Sequence, residues 1–205
     1  MNREVVQYAQ DFLRQKGFTL DQVNFIAVGR QIIGQLMRGK QNVIEAYPVS
    51  NSVKAVSKTA ASVLITADKH MRTHHVTHVY VFYSEKRGVS VSATETLLMP
   101  LGTEWMERLK KRGWPGRNLP TYTLPPAKIY SALLKERLLI ELSTAITEAL
   151  SAEHHMRLTT MQAAEKNIDE NLETMNLQYQ QMRQENITTE LLDVVNGAEA
   201  MRKKK

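Results

Sequence analysis

Four histidines, His70, His74, His75 and His78, crowd into the stretch KHMRTHHVTH. His70 and His74 are four apart, a spacing that puts two imidazoles on one helix face where they could share a metal ion. The stretch lacks the glutamate of an H-E-x-x-H site, the chain has no cysteine, and Lys69 and Arg72 would repel a cation. These residues therefore read as a polar helix end entering a strand, and no metal is expected. GRQIIGQL, residues 29–36, follows a strand and opens a helix, as a phosphate-binding loop does. It has the two glycines of G-x-x-x-x-G, but Gln35 and Leu36 stand where Lys and Ser/Thr would hold phosphate and Mg²⁺. No G-x-G-x-x-G occurs, so no nucleotide or other cofactor is expected. RLKKRGWPGR mixes basic residues with an aromatic, and RKKK ends the chain. Both could contact phosphates, yet neither lies on a groove-reading element, and no direct nucleic-acid binding is expected. Charged, solvated surface is the default there, and an anionic lipid surface is equally compatible. No Ser/His/Asp or Cys/His arrangement is assignable, so no catalytic residue is named.

The elements that would position any such residues divide the chain. With 205 residues and 42% hydrophobic content, it suits one domain plus an extension, or two small domains. The absence of cysteine fits a reducing compartment. No apolar run approaches the ~18 residues of a membrane span, and MNREVVQYAQ lacks the apolar core of a secretory signal. A soluble, cytosol-side protein is the expectation. The net charge of +6 is uneven: residues 1–126 carry 17 Lys/Arg against 9 Asp/Glu, and residues 127–196 carry 6 against 11. Opposite signs imply two surfaces with different surroundings.

Residues 1–101 alternate helix and strand. EVVQYAQDFLRQKG places Val5, Tyr8, Phe12 and Leu13 on one helical face and ends at Gly17. VNFIAVG reads as a buried strand, QIIGQLMRG as a brief helix, and NVIEAYPV as a strand disturbed by Pro48. Val53, Val56, Ala60, Val63, Leu64 and Ala67 are at helical spacing. VTHVYVFYSE and GVSVSATETLLMP, joined through KRG, form a hairpin by pattern. The expected fold class is α/β, a small Rossmann-like domain followed by one very long coiled-coil helix. Residues 102–126 hold three glycines, four prolines and both tryptophans, and read as a connector with one short helical turn at most.

From Ala127 to Asn196 there is neither glycine nor proline. A helix over those 70 residues would run roughly 105 Å and would have to protrude from so small a domain. Ile168, Leu172, Met175, Tyr179 and Met182 step by four and three, the seam of a left-handed coiled coil. The rhythm slips at Asn186/Ile187 and resumes at Leu191 and Val194. Upstream, Leu139, Leu142, Ile146 and Leu150 make another stripe, interrupted by His154 and Arg157. Past residue 198 a basic tail, 199–205, closes the chain. On spacing alone Arg183, Gln184, Thr188 and Glu190 are a solvated helix face, and a coiled-coil scaffold or a nucleic-acid-binding protein with an α/β head remains open.

The ending, ITTELLDVVNGAEA, resembles the C-terminal signature of the gamma subunit of F-type ATP synthases: Ile187 and Thr188, Glu190, Asp193, Gly197 and Ala198. The resemblance extends through SAEHHMRLTTMQAAEKN and the Y…RQ run, and more weakly through the α/β part. It implies a non-catalytic rotor, the central stalk that couples ion flow to ATP synthesis or hydrolysis. The implied partners are the alpha and beta subunits, the epsilon subunit and the membrane c-ring, at the cytoplasmic face of a bacterial inner membrane. By the resemblance, Arg183, Gln184, Thr188 and Glu190 match positions that meet the alpha/beta ring. The family also begins with a long helix antiparallel to the C-terminal one, then a first strand and a Gly-rich turn. Those segments have no counterpart here, so the seam is expected to lack its antiparallel partner and the chain to be an N-terminally shortened form.

Overall fold

The computed structural model describes residues 2–49, 52–88, 90–114, 116–118 and 121–202. The chain divides into two compact units, Met1–His155 and Met156–Lys205.

The first unit opens with α1 (Asn2–Gln15), which buries Val5, Ala9 and Leu13, one residue per turn along a single face. Gly17, at φ +84°, turns the chain out of the helix while Phe18 N–H donates to Leu13 O at 3.0 Å. Strand β1 (Phe25–Val28) pairs in parallel with β2 (Val43–Tyr47), and α2 (Arg30–Arg38) supplies the crossover that a parallel pair requires. Helix α3 (Val53–His74) buries Val56, Ala60 and Val63 and ends at His75 in the left-handed conformation. Tyr47 ties β2 to it through a 2.6 Å hydrogen bond with Thr66 Oγ1. Strands β3 (Val79–Arg87) and β4 (Ser90–Met99) form the antiparallel hairpin expected from their alternation, with Gly88 at φ +65° in the turn.

Among the described residues the strands make two separate two-stranded sheets, β1–β2 and β3–β4. One face of the hairpin receives α1: Phe12 meets Tyr80 and Phe82 edge-on at 5.3 and 5.6 Å, and Tyr8 donates to the Glu95 carboxylate on β4. That acceptor, chiefly, and partial burial raise the Tyr8 pKa above its ordinary value.

The core joins both sheets to the start of the last helix. Ala60 and Val63 of α3, Leu98 of β4, and Leu138 and Leu142 are buried together, with Ile26, Val28, Val79 and Val81 packed against them. Leu138 and Leu142 belong to α5 (Pro126–Arg202), a single 77-residue helix. Pro126 is tolerated in its first turn, where the missing N–H would have had no partner, and Pro125 O accepts from Lys128 and Ile129.

Two expectations need correction. The connector contains a nine-residue helix, α4 (Thr103–Lys111), where one turn at most was expected. Its three glycines and four prolines leave 103–112 free of breakers, and TEWMERLKK is rich in good helix formers. The long helix also runs through Gly197 to Arg202 and does not stop near residue 196 or 198. Gly197 costs about 1 kcal/mol against alanine, but Ala198, Glu199, Ala200 and Met201 after it favour the helix. Of the basic tail, residues 203–205 lie outside the described residues.

Candidate functional site

The second unit is the remainder of α5, and its surface is the candidate site. Every residue from Met161 to Ala198 is exposed. The seam residues Ile168, Leu172, Met175, Tyr179 and Met182 are each more than half exposed, as are Leu191 and Val194. Fully burying one large apolar side chain contributes roughly 1.5–3 kcal/mol, so this stripe holds a large association free energy unused by the described residues.

Helical geometry orders the stripe. At about 100° per residue, Ile168 to Met182 cluster on one narrow arc. Ile187, Leu191 and Val194 cluster on a second arc about 100° further round, the angle of one residue. The slip at Asn186/Ile187 thus turns the apolar face about the helix without breaking it. Arg183 and Glu190, seven apart, lie along one edge of the second arc; Gln184 and Thr188, four apart, lie along the other. The four polar residues singled out in the sequence therefore flank a common apolar strip on both sides. Thr188 Oγ1 donates to Gln184 O at 2.9 Å and Thr189 Oγ1 to Glu185 O at 2.9 Å. These bonds back to the preceding turn keep both hydroxyls against the helix, leaving the Arg183 guanidinium, the Gln184 amide and the Glu190 carboxylate as the groups with reach. Gln181, Gln184, Glu185, Thr188 and Thr189 together line a shallow open depression.

Of the other sequence candidates, the fold keeps His70 and His74 together and separates them from His78. The His70 and His74 rings are tilted by 31° with centroids 4.2 Å apart, and His70 Nε2 lies 3.0 Å from Asn24 Nδ2. Burial first, and His74 second, lower the His70 pKa. His75 caps α3, and His78 stacks on Tyr80 with rings 4° from parallel. Among the described residues no three His, Cys, Asp or Glu side chains gather as metal ligands would. The Gly29 N–H, which would face a phosphate in a binding loop, donates to Tyr47 O at 2.8 Å. No described helix is long and apolar enough to cross a membrane.

Pattern reading missed the anchor of the long helix. The buried positions are Leu138, Leu142, Ala145 and Ala152, whereas the stripe read from sequence was Leu139, Leu142, Ile146 and Leu150. Leu139 and Ile146 are only partly buried. The contact face is lined by small alanines, which a search for large apolar residues passes over; spacing of 4, 3 and 7 through those alanines was the available signal.

Comparison with known proteins bears on this geometry. A family model described as ATP synthase matches residues 1–201. The ATP synthase gamma chain of Geobacter metallireducens is 27% identical over 205 residues, covering 98% of this chain and 68% of that one. The gamma chain of Bdellovibrio bacteriovorus is 25% identical over 98% of this chain and 69% of its own. The chain thus spans about two-thirds of the length of the curated relatives it matches. In fold it is similar to a chain of the Euglena gracilis mitochondrial ATP synthase OSCP/F1/c-ring structure, with TM-score 0.58 and 18% identity over 93% of this chain and 65% of that one. It is also similar to a chain of the rotor structure of the same enzyme, with TM-score 0.55 and 15% identity over 91% of this chain and 71% of that one. With an α/β unit, a terminal helix carrying an unburied apolar stripe, and a match across residues 1–201, the chain belongs to the ATP synthase family, among its gamma chains.

Proposed function

We propose that the chain acts as a gamma, or central-stalk, subunit: a non-catalytic rotor coupling ion flow to ATP synthesis or hydrolysis in a ring of alpha and beta subunits. The observation that carries this reading is the exposed stripe of Ile168, Leu172, Met175, Tyr179 and Met182 on an uninterrupted helix. A shaft must resist bending and present a continuous surface to what surrounds it. A helix interior without proline resists kinking, and a narrow seam accepts one partner helix along its length.

In this reading the seam takes a helix antiparallel to α5, supplied from outside the described residues. Arg183, Gln184, Thr188 and Glu190, on both edges of the Ile187–Leu191–Val194 strip, meet the alpha and beta subunits as the shaft turns. Arg183 supplies charge-assisted hydrogen bonds, each worth about 1.5–3 kcal/mol where desolvated. Such contacts favour one angle over another only if they form at that angle, which is how a shaft without chemistry biases nucleotide states. The α/β unit takes the lower position, toward the epsilon subunit and the c-ring, and places the chain peripherally at the cytoplasmic face of the bacterial inner membrane.

Co-purification tests the reading. Tagged chain expressed with alpha and beta subunits from a related bacterium, together with a helix of the gamma-family N-terminal type, is expected to recover both. Retention of DNA or RNA in a salt-sensitive manner, without alpha or beta, would contradict it.

A further inference from the structure

The connector holds a surface that the shaft reading does not use. Residues 103–118, α4 and the turn after it, contain Arg108, Lys110, Lys111, Arg112 and Arg117 against two acids, Glu104 and Glu107. On α4 the exposed apolar side chains Met106 and Leu109, three apart, share a face. At helical spacing Lys110 flanks that face, whereas Arg108 lies well round toward the opposite side of the helix. The turn that follows carries Trp114, 59% exposed. Its indole N–H donates to Asn118 O at 2.7 Å. Gly116 lies close to the N–H edge of the indole, and a Cβ there would come within 3.2 Å of its nitrogen. The one polar atom of Trp114 is thereby satisfied inside the turn, and what it offers to its surroundings is apolar ring.

We infer that Met106, Leu109 and Trp114, with Lys110, Arg112 and Arg117 beside them, form a contact surface for an anionic phospholipid bilayer. Three observations converge on a lipid surface. Lys110 borders the apolar pair on a short helix whose opposite side is charged, the pattern of interfacial binding. An exposed indole whose N–H is already paired can enter the boundary between headgroups and acyl chains without stranding its donor. Five basic residues against two acids leave the segment net positive, complementary to anionic headgroups. A nucleic acid would use the cations but leave Met106 and Leu109 in water. The inference does not rest on the rotor reading.

Flotation of the full chain with vesicles tests it, using phosphatidylcholine alone and phosphatidylcholine mixed with phosphatidylglycerol, at low ionic strength. The chain should float with the mixed vesicles and not with the neutral ones. Each basic residue near such a surface strengthens binding about fivefold, so Lys110→Glu with Arg112→Glu should weaken it by at least about 25-fold. Leu109→Gln, which keeps the charge, should weaken it about fivefold. Circular dichroism of each variant should match the parent. Removing Lys203, Lys204 and Lys205 should leave the Leu109→Gln effect intact. The inference is overturned by equal flotation with both vesicles, or by none. It is equally overturned if Leu109→Gln is silent and the tail lysines account for all binding, or if the chain is retained on RNA while ignoring vesicles.

Discussion

Leu142 and Leu172 lie on the same helix, yet one is 5% exposed and the other 54%. Leu142 is packed with Ala60, Val63, Leu98 and Leu138 in the core of the first unit. Leu172 is one of a row of apolar residues in the second unit with nothing described against it. Their hydropathy is identical, so periodicity alone does not say which face a chain buries for itself and which it reserves for others. The neighbours do say. Around Leu142 the facing positions shrink to Ala145 and Ala152, as close approach within one chain requires. Around Leu172 they stay long, Met175, Tyr179 and Met182, side chains that fill the grooves of a facing helix.

The comparison breaks first if the two leucines respond alike to truncation. Leu142→Ala should destabilise the first unit by about 2–5 kcal/mol, and Leu172→Ala in the free chain should stay within about 0.5 kcal/mol. Urea unfolding followed by near-ultraviolet dichroism reads the difference. Next in size is Met175→Pro, which removes a backbone hydrogen bond and clashes with the preceding turn, at about 3 kcal/mol or more. Far-ultraviolet circular dichroism should show the lost helix, while hydrogen exchange leaves the amides of α1, α3 and β4 unchanged.

A gentler test adds a partner. A peptide of the gamma-family N-terminal helix type should bind the free chain and protect amides between Ile168 and Met182. Met175→Ala should weaken it by about 1.5–3 kcal/mol if its side chain is fully buried there. Sedimentation analysis of the chain alone should show self-association, since the exposed stripe otherwise stays in water.

The smallest expected effect concerns Tyr8, which fastens α1 to the hairpin through Glu95. Tyr8→Phe should cost about 1 kcal/mol. The folded-state pKa of Tyr8 is raised above its ordinary value of 10.0, so folding favours the protonated phenol. Its contribution is present below pH 10 and is lost as the pH rises through the folded pKa. The stability gap between parent and variant should therefore narrow only above pH 10.

The alternating elements of the first unit were legible because each carries its own signal. Val5, Ala9 and Leu13 repeat on a helix, the β-branched run from Val79 to Phe82 marks a strand, and Gly88 marks the turn. The pairing of strands was less so: two separate sheets depend on which edges meet in space, and hydropathy carries no such information. Helix α4 was hidden by the glycines and prolines around it, which describe the ends of the connector better than its middle. The polar flank of Arg183, Gln184, Thr188 and Glu190 came from a matched motif. No spacing rule separates those side chains from a solvated face, because their meaning lies in what surrounds them.

Hydrogen exchange across residues 156–202 tests the central claim most directly, comparing the free chain with the complex it forms with alpha and beta subunits and a gamma-type N-terminal helix. The account predicts rapid exchange in the free chain at concentrations low enough to keep it monomeric. In the complex it predicts strong protection from Ile168 to Val194, with Arg183→Ala or Gln184→Ala reducing ATP turnover while leaving that protection largely in place. Strong protection already present in the free monomer, or a complex that assembles and turns over ATP with residues 168–194 still exchanging freely, would contradict it.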